Sequence, residues 1–272
     1  LKAGITFSVT PKPGDFFAKA TAGFEFNNSG GLNNITVQGD AYMLKNEMLE
    51  NPIKGKDGSN VVGVQALLDA KLNFKTSNTV DFSADMLIFT NVKTSAGTFK
   101  GTANASNLVV EADLNVKGDK WNLWIGTQKD PGQVQFTLAG INLSVSGGGY
   151  LMLGNKSLPP IEEPSFMKEW FGPEGFSSPA AVEESKPNNG GIAFGANLEY
   201  NLNLKASILY ADFKAIFGFD LQLMNSEGVV CSNLSNSPPL GLDGWYAPGQ
   251  VYGGLSGDIG LDIEIFFYSG KI

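Results

Sequence analysis

The stretch "LYADFKAIFGFDLQL", Leu209 to Leu223, puts Leu209, Ala211, Phe213, Ala215, Phe217, Phe219, Leu221 and Leu223 at every odd position. Asp212, Lys214, Asp220 and Gln222 stand among the even ones, with only Tyr210, Ile216 and Gly218 between them. Successive side chains of a strand point to opposite faces, so a period of two held this long predicts one long strand with a dry face and a wet face. Three surfaces could lie against the dry face: a second sheet, a lipid bilayer, or a greasy ligand held in a groove. What the chain does depends on which of them it is.

The same alternation runs outward in both directions. Ala3, Ile5, Phe7 and Val9 begin it, and Phe16 to Phe26 carries apolar residues at even positions up to the turn residues "NNSGG". Ile35 to Met43, Leu68 to Phe74 and Val80 to Ile88 continue it, the last two flanking "TSNT", a turn by composition. Leu108 to Val116 leads through "KGDK", a second hairpin, into "WNLWIG"; Gly140, between Leu138 and Leu143, predicts a bulge or bend. Phe194 to Leu204 alternates in even phase, and the phase flips near Ala206 and Ser207, which implies a bulge or a very tight turn. Val251 to Phe267 reads as another long strand. The fold class is therefore all-β: long antiparallel amphipathic strands in a meander, sandwich-like or as extended stacked sheets.

Lys156 to Gly191 breaks the texture. Pro159, Pro160, Pro164, Pro173, Pro179 and Pro187 fall there, and proline cannot serve a central ladder. Within this excursion "PSFMKEWFG" has the look of one or two helical turns, opened by Ser165 and stopped by Gly172. The chain accordingly divides into a meander over 1–155, a Pro/Glu-rich loop or linker over 156–191, and a long-stranded region over 192–272. That last region is expected to continue beyond the segment, because a strong strand pattern runs to Tyr268.

Composition removes several functions. With 19 Lys+Arg against 27 Asp+Glu the net charge is -8, which repels phosphate backbones, and the scattered basic residues make no patch, so nucleic acid is not an expected partner. Histidine is absent, and with it the usual zinc sites, Ser-His and Cys-His pairs and the commonest general base. Carboxylate pairs of the glycosidase kind would remain. Asp258, Asp262 and Glu264 share a face of the last strand, and Glu25, Asp81 and Asp85 lie on other wet faces, but each fits solvated alternation. "SGGGY" (Ser146 to Tyr150) and "NNGGIAFGA" (Asn188 to Ala196) lack a phosphate-loop lysine and a following helix. "DGSN" (Asp57 to Asn60) lacks calcium-loop spacing. The Asn-X-Ser/Thr triplets at Asn27, Asn34, Asn104, Asn142, Asn155 and Asn233 fit the composition. The expectation is no catalytic, cofactor-binding or metal residue, no cofactor, and no enzymatic activity.

Trp121, Trp124, Trp170, Phe171, Trp245 and Tyr246 fall at strand ends or in loops, where they could stack on sugars, mark a membrane interface or plug a sandwich. Trp121 and Trp124 differ in parity, so a regular strand sends them to opposite faces. There is no run of about 18 apolar residues, which excludes a membrane-spanning helix but not a closed barrel.

The segments "GGIAFGANLEY", "YADFKAIFGFDLQL", "VVCSNL" and "GWYAPGQVYGGLSGDIGLDI" resemble parts of large uncharacterised β-rich cell-envelope or secreted proteins of Bacteroidota type, and "KWNLWIGTQKDPGQV" with "GYLMLGNKSLPP" shares the likeness. The resemblance covers mainly the second half of the chain and implies an envelope or extracellular location and a fragment of something longer. Val64 to Val116 has the texture of the β-grooves of envelope lipid-transfer proteins. A packed core asks least of the sequence. The leading expectation is thus a non-enzymatic structural or interaction segment whose partners are other segments of the same or a neighbouring envelope chain, with membrane or lipid contact left open. An outer-membrane β-barrel and a lipid-binding β-groove are the alternatives.

The single cysteine, Cys231, has no internal partner and is expected to be a small buried residue at a strand end. A thiol reagent should label it only after denaturation. Rapid labelling of the native protein would point instead to a bond with a cysteine elsewhere.

Overall fold

The computed structural model describes residues 2–9, 16–43, 63–74, 80–104, 107–164, 190–206, 209–225 and 245–261. The strands are β1 (Lys2–Val9), β2 (Phe16–Phe26), β3 (Leu32–Met43), β4 (Gly63–Phe74), β5 (Val80–Thr94), β6 (Gly97–Gly101), β7 (Leu108–Lys117), β8 (Lys120–Ile125), β9 (Gly132–Leu138), β10 (Asn142–Gly154), β11 (Gly191–Ala206), β12 (Leu209–Asn225), β13 (Trp245–Tyr246) and β14 (Gly249–Leu261). All of them belong to one 14-stranded sheet whose pairs are antiparallel, and no helix occurs among the described residues. The all-β meander read from the alternation is what the chain forms.

Neighbours in sequence are mostly neighbours in the sheet, because short connections favour antiparallel pairing. "KGDK" closes β7 onto β8 with Gly118 at φ 63°, a conformation glycine adopts at no steric cost. In "NNSGG" the Asn27 side-chain carbonyl accepts the backbone N–H groups of Ser29 and Gly31 at 2.9 and 2.8 Å, replacing ladder bonds the turn gives up. The expected bend at Gly140 is the turn between β9 and β10. The phase flip after Ala206 is a tight hairpin, since Ala206 faces Leu209 across the β11–β12 ladder.

The centre departs from a plain meander. β5 is long enough to pair with β7 along Asp81 to Phe89 and with β6 along Asn91 to Thr94. β10 does the same, taking β9 along Ser144 to Gly149 and β8 along Leu151 to Gly154. The pairs β6–β9 and β7–β8 therefore lie end to end between β5 and β10. Beyond them β10 pairs β11 from Asn142 opposite Asn203 to Gly154 opposite Gly191, so the sheet runs without a break across the Pro-rich excursion.

Register aligns the alternation of every strand. One lateral row reads Phe24, Ile35, Leu72, Phe82, Val116 and Trp121 across β2, β3, β4, β5, β7 and β8. Another reads Phe99, Phe136, Val145, Tyr200, Ala215 and Leu255 across β6, β9, β10, β11, β12 and β14. Both rows stand on the same face. On the opposite face the rows read Glu25, Asn34, Asn73, Asp81, Lys117, Lys120 and Thr98, Thr137, Ser144, Asn201, Lys214, Ser256. Every charged residue within the strands falls on this second, polar face.

The packed interior lies on the polar side. Tyr150, Met152, Ala193 and Met224 form one buried cluster there with Leu158 laid over them; Phe89 and Leu108 form a second with Leu67, Leu87 and Ala103. Within this chain Phe213, Phe217 and Phe219 are not packed into a core: they are 41%, 55% and 40% exposed. Alternation tells which residues share a face. It does not tell which face receives the cover, and here the segment after β10 folds onto the polar one.

This placement sets the order of mutational costs. Met152→Ala, in a fully buried position, should lower unfolding free energy by about 2–5 kcal/mol through lost burial and a cavity. Phe217→Ala should cost no more than about 0.5 kcal/mol, as for an exposed site. Chemical denaturation of both variants checks this, and a larger loss at Phe217 would place the core on the other face.

Candidate functional site: a strapped cavity on the polar face

The chain that leaves β10 crosses the polar face as an extended strap, Asn155 to Pro164. Its prolines lack N–H groups and cannot extend the ladder, so its carbonyls need other donors, and glutamine side chains of the wall supply them. At the start, the Asn155 side chain accepts the Trp121 N–H at 2.7 Å and donates to the Asp119 carbonyl at 2.5 Å, fixing the strap to the β7–β8 turn. Leu158 then drops into the first buried cluster. Gln222 Nε2, from β12, donates to the Pro159 carbonyl at 2.6 Å. Further on, Gln250 Nε2 of β14 donates to the Glu162 carbonyl at 2.9 Å. Gln128, between β8 and β9, holds Glu162 by both backbone groups, donating to its carbonyl at 2.9 Å and accepting its N–H at 2.8 Å.

Beneath the strap lies a cavity of about 500 Å³. Thr102, Gln133, Asn197, Glu199, Tyr252 and Glu162 are among its walls. Asp220 is its most enclosed carboxylate, 5% exposed, and it accepts the Tyr150 hydroxyl at 2.9 Å and Gln250 Nε2 at 2.8 Å. A buried carboxylate held by a donor on each oxygen is a structural node, because those hydrogen bonds offset the cost of burying it. Glycines make the space for it. A Cβ at Gly195 would collide with Asp220 and lie 2.6 Å from the Tyr150 ring, and one at Gly218 would lie 2.5 Å from the ring of Tyr252. Each tyrosine therefore lies across the glycine opposite it on the next strand.

The remaining charges pair or face water. Lys214 meets Glu199 at 3.5 Å, and Asn201 donates to Glu199 at 2.8 Å. Glu162 and Glu163 of the strap are exposed and line the cavity, as does Lys129. Among the described residues no group of three or more acidic, His or Cys side chains is placed to hold a metal ion. Thr102 Oγ1 is buried without a hydrogen-bond partner, and Gln222 Oε1 likewise. Further along the polar face, Asp69, Asp85 and Asp113 stand in register across β4, β5 and β7, where Asn122 Nδ2 donates to Asp113 at 2.7 Å.

The residues weighed from the sequence scatter. Asp258 lies on the polar face of β14 and accepts the Tyr210 hydroxyl at 3.1 Å; Glu25 accepts Asn34 Nδ2 at 2.9 Å. Asp81 and Asp85 are on β5, remote in the strand order from β14. Trp121 and Trp124 point to opposite faces as their parity requires: Trp121 is exposed on the apolar face, and Trp124 packs against the first cluster with the Lys156 ammonium 4.4 Å from its ring centre. Trp245 and Tyr246 form β13. Asp262, Glu264, Trp170, Phe171, Cys231, Asn233 and Asp57 to Asn60 lie outside the described residues. Sequence reasoning missed the strap and the Asp220 node. Both depend on cross-strand register, although the three glutamines and the prolines that meet there were in view.

Comparison with protein families, curated proteins and solved structures gives no significant match.

Tyr150→Phe removes one donor from the buried Asp220 and should cost about 1.5–3 kcal/mol of stability, the range for hydrogen bonds to charged groups. Urea unfolding measures it. Stability equal to wild type would mean that the hydroxyl does not serve Asp220.

Proposed function

We propose that this chain is a wall segment of a β-barrel of the bacterial outer-membrane type, apolar face to lipid and polar face to an aqueous lumen, acting without catalysis in the cell envelope. One observation carries the reading: all charged strand residues share a face, and the opposite face is apolar from β1 to β14. A membrane strand needs alternation of this polarity and about 9–11 residues to cross the bilayer. The longer strands here run from 10 residues in β7 to 17 in β12. No helix among the described residues is long and apolar enough to cross a membrane; strands are the elements in question.

The polar side is also furnished as an interior. A sheet that packs one face in a sandwich leaves the other to solvent and needs no cover there. In this chain the polar face holds the buried clusters, Gln65, Asn122, Asp220 and Gln222, and the strap. The apolar face keeps Val251 and Ile259 at 88% and 81% exposure. A lipid-binding groove is the weaker alternative, since the covered face is the polar one.

The scaffold reading remains as a second proposal, with other protein segments covering the apolar face. It is favoured by β14, which pairs on one edge only among the described residues and so offers a free strand edge.

Adjacent residues of β14 separate these readings. Leu255 is on the apolar face and Ser256 on the polar face, and both are exposed. In a Cys231→Ser background reconstituted into liposomes, Ser256→Cys should react with a water-soluble thiol reagent and Leu255→Cys should not. A wild type that is soluble and monodisperse without detergent, or equal labelling of the two cysteines, would overturn the barrel.

A further inference from the structure

We infer that the outer edge of β14 pairs with the same edge of a second copy of this chain, antiparallel about a two-fold axis at Leu255, so that two sheets run on as one. The inference goes beyond both readings above, because it concerns the edge of the sheet and not what covers its faces. Among the described strands β14 pairs only with β12, in an unbroken ladder from Gly249 to Leu261. The Gln222 N–H donates to the Pro248 carbonyl at 2.9 Å, which sets the phase of that ladder. The even residues of β14 turn their backbone groups to β12, and Val251, Gly253, Leu255, Gly257 and Ile259 turn theirs outward. The 13 residues of β14 hold no lysine, arginine or proline, the residues that blunt an open strand, and no register shift twists the edge away. Val251, Leu255 and Ile259 stand along it 88%, 65% and 81% exposed.

The order of residues in the strand suits a copy of itself. Polarity admits only registers that set residues of the apolar face opposite one another. With the axis at Leu255 the whole strand is paired, beginning with Gly249 opposite Leu261. Val251 then meets Ile259, Gly253 meets Gly257, and Leu255 meets its own copy. Asp258, the only charged residue of the strand, falls opposite Tyr252, so no carboxylate faces another. Moving the axis to Gly254 sets glycine opposite all three aliphatic side chains, and moving it to Ser256 sets glycine opposite Leu255 and Ile259. Directly opposed aliphatic pairs stabilise a ladder, and a glycine forfeits that contact. An edge that is self-complementary as well as open points to a second copy as its occupant.

The test uses the full chain in detergent, in a Cys231→Ser background. This parent should be a dimer by light scattering. Residues opposed in a hydrogen-bonded pair have Cα atoms about 5.5 Å apart, within the span of a disulfide. Under mild oxidation Leu255→Cys should therefore cross-link to a dimer by itself. Val251→Cys and Ile259→Cys should cross-link several-fold more when mixed than either does alone. Leu255→Pro removes one outward N–H without touching the β12 ladder, and it should give a monomer whose circular dichroism matches the parent. Leu255→Lys sets two like charges on the axis and should do the same. A monomeric parent would overturn the inference and leave both readings of the apolar face standing. So would a dimer that survives both Leu255 substitutions, or one in which the Val251 and Ile259 variants cross-link as well alone as mixed.

Discussion

The constraint on which the rest depends is that side chains alternate along a strand while registers lock neighbouring strands. Once Lys214 faces one way, the ladder sends Asn201 and Ser144 on one side and Ser256 on the other the same way, and Phe213 with Leu202 and Leu143 the opposite way. A slip of one residue in any strand that carries a charge would bring that charge onto the apolar face. The sheet is wide, and such a slip is penalised in every strand that carries a charge. Register is therefore specified by polarity as well as by turns, and for this reason a chain with so many glycines can still fold to one arrangement.

The interior built on the polar face is of an unusual kind for a sheet. It is held by side-chain amides bonding backbone carbonyls: Gln222 to Pro159, Gln250 and Gln128 to Glu162. Gln65 Nε2 donates to the Tyr42 hydroxyl at 3.2 Å near the second cluster, extending the pattern. Amides suit this place because they satisfy both donors and acceptors without charge, whereas a lysine or glutamate at Gln222 would carry an uncompensated charge in a buried site. Apolar contact is added where the strap inserts Leu158 into the first cluster and where Phe89 packs with Leu108 in the second.

Much of this was legible in the sequence. Strand existence, the hairpins at "NNSGG" and "KGDK", the tight reversal after Ala206 and the opposite orientation of Trp121 and Trp124 all follow from local period and turn chemistry. The split pairing of β5 and β10 was not legible, because short β6 and β9 carry too few residues to show a period and their partners are set by tertiary register. The side on which the interior forms was not legible either. Phe213, Phe217 and Phe219 look like core residues under the assumption that a dry face must be covered by the same chain. Sequence assigns a side chain to a face; it takes the course of Asn155 to Pro164, whose prolines forbid pairing but do not choose a direction, to decide which face becomes an inside.

The strand order also constrains how such a wall could close. From β1 to β14 the path passes through an even number of antiparallel steps, whether it goes through β6 and β9 or through β7 and β8. β1 and β14 consequently run in the same direction. Joined directly they would make a parallel pair, with the slanted hydrogen bonds that an otherwise antiparallel ladder avoids. In the barrel reading an all-antiparallel closure therefore takes an odd number of further strands between β14 and β1. The first of these would run against β14 and place its apolar residues beside Val251, Leu255 and Ile259, which are the most exposed apolar side chains of the sheet because they stand at that edge.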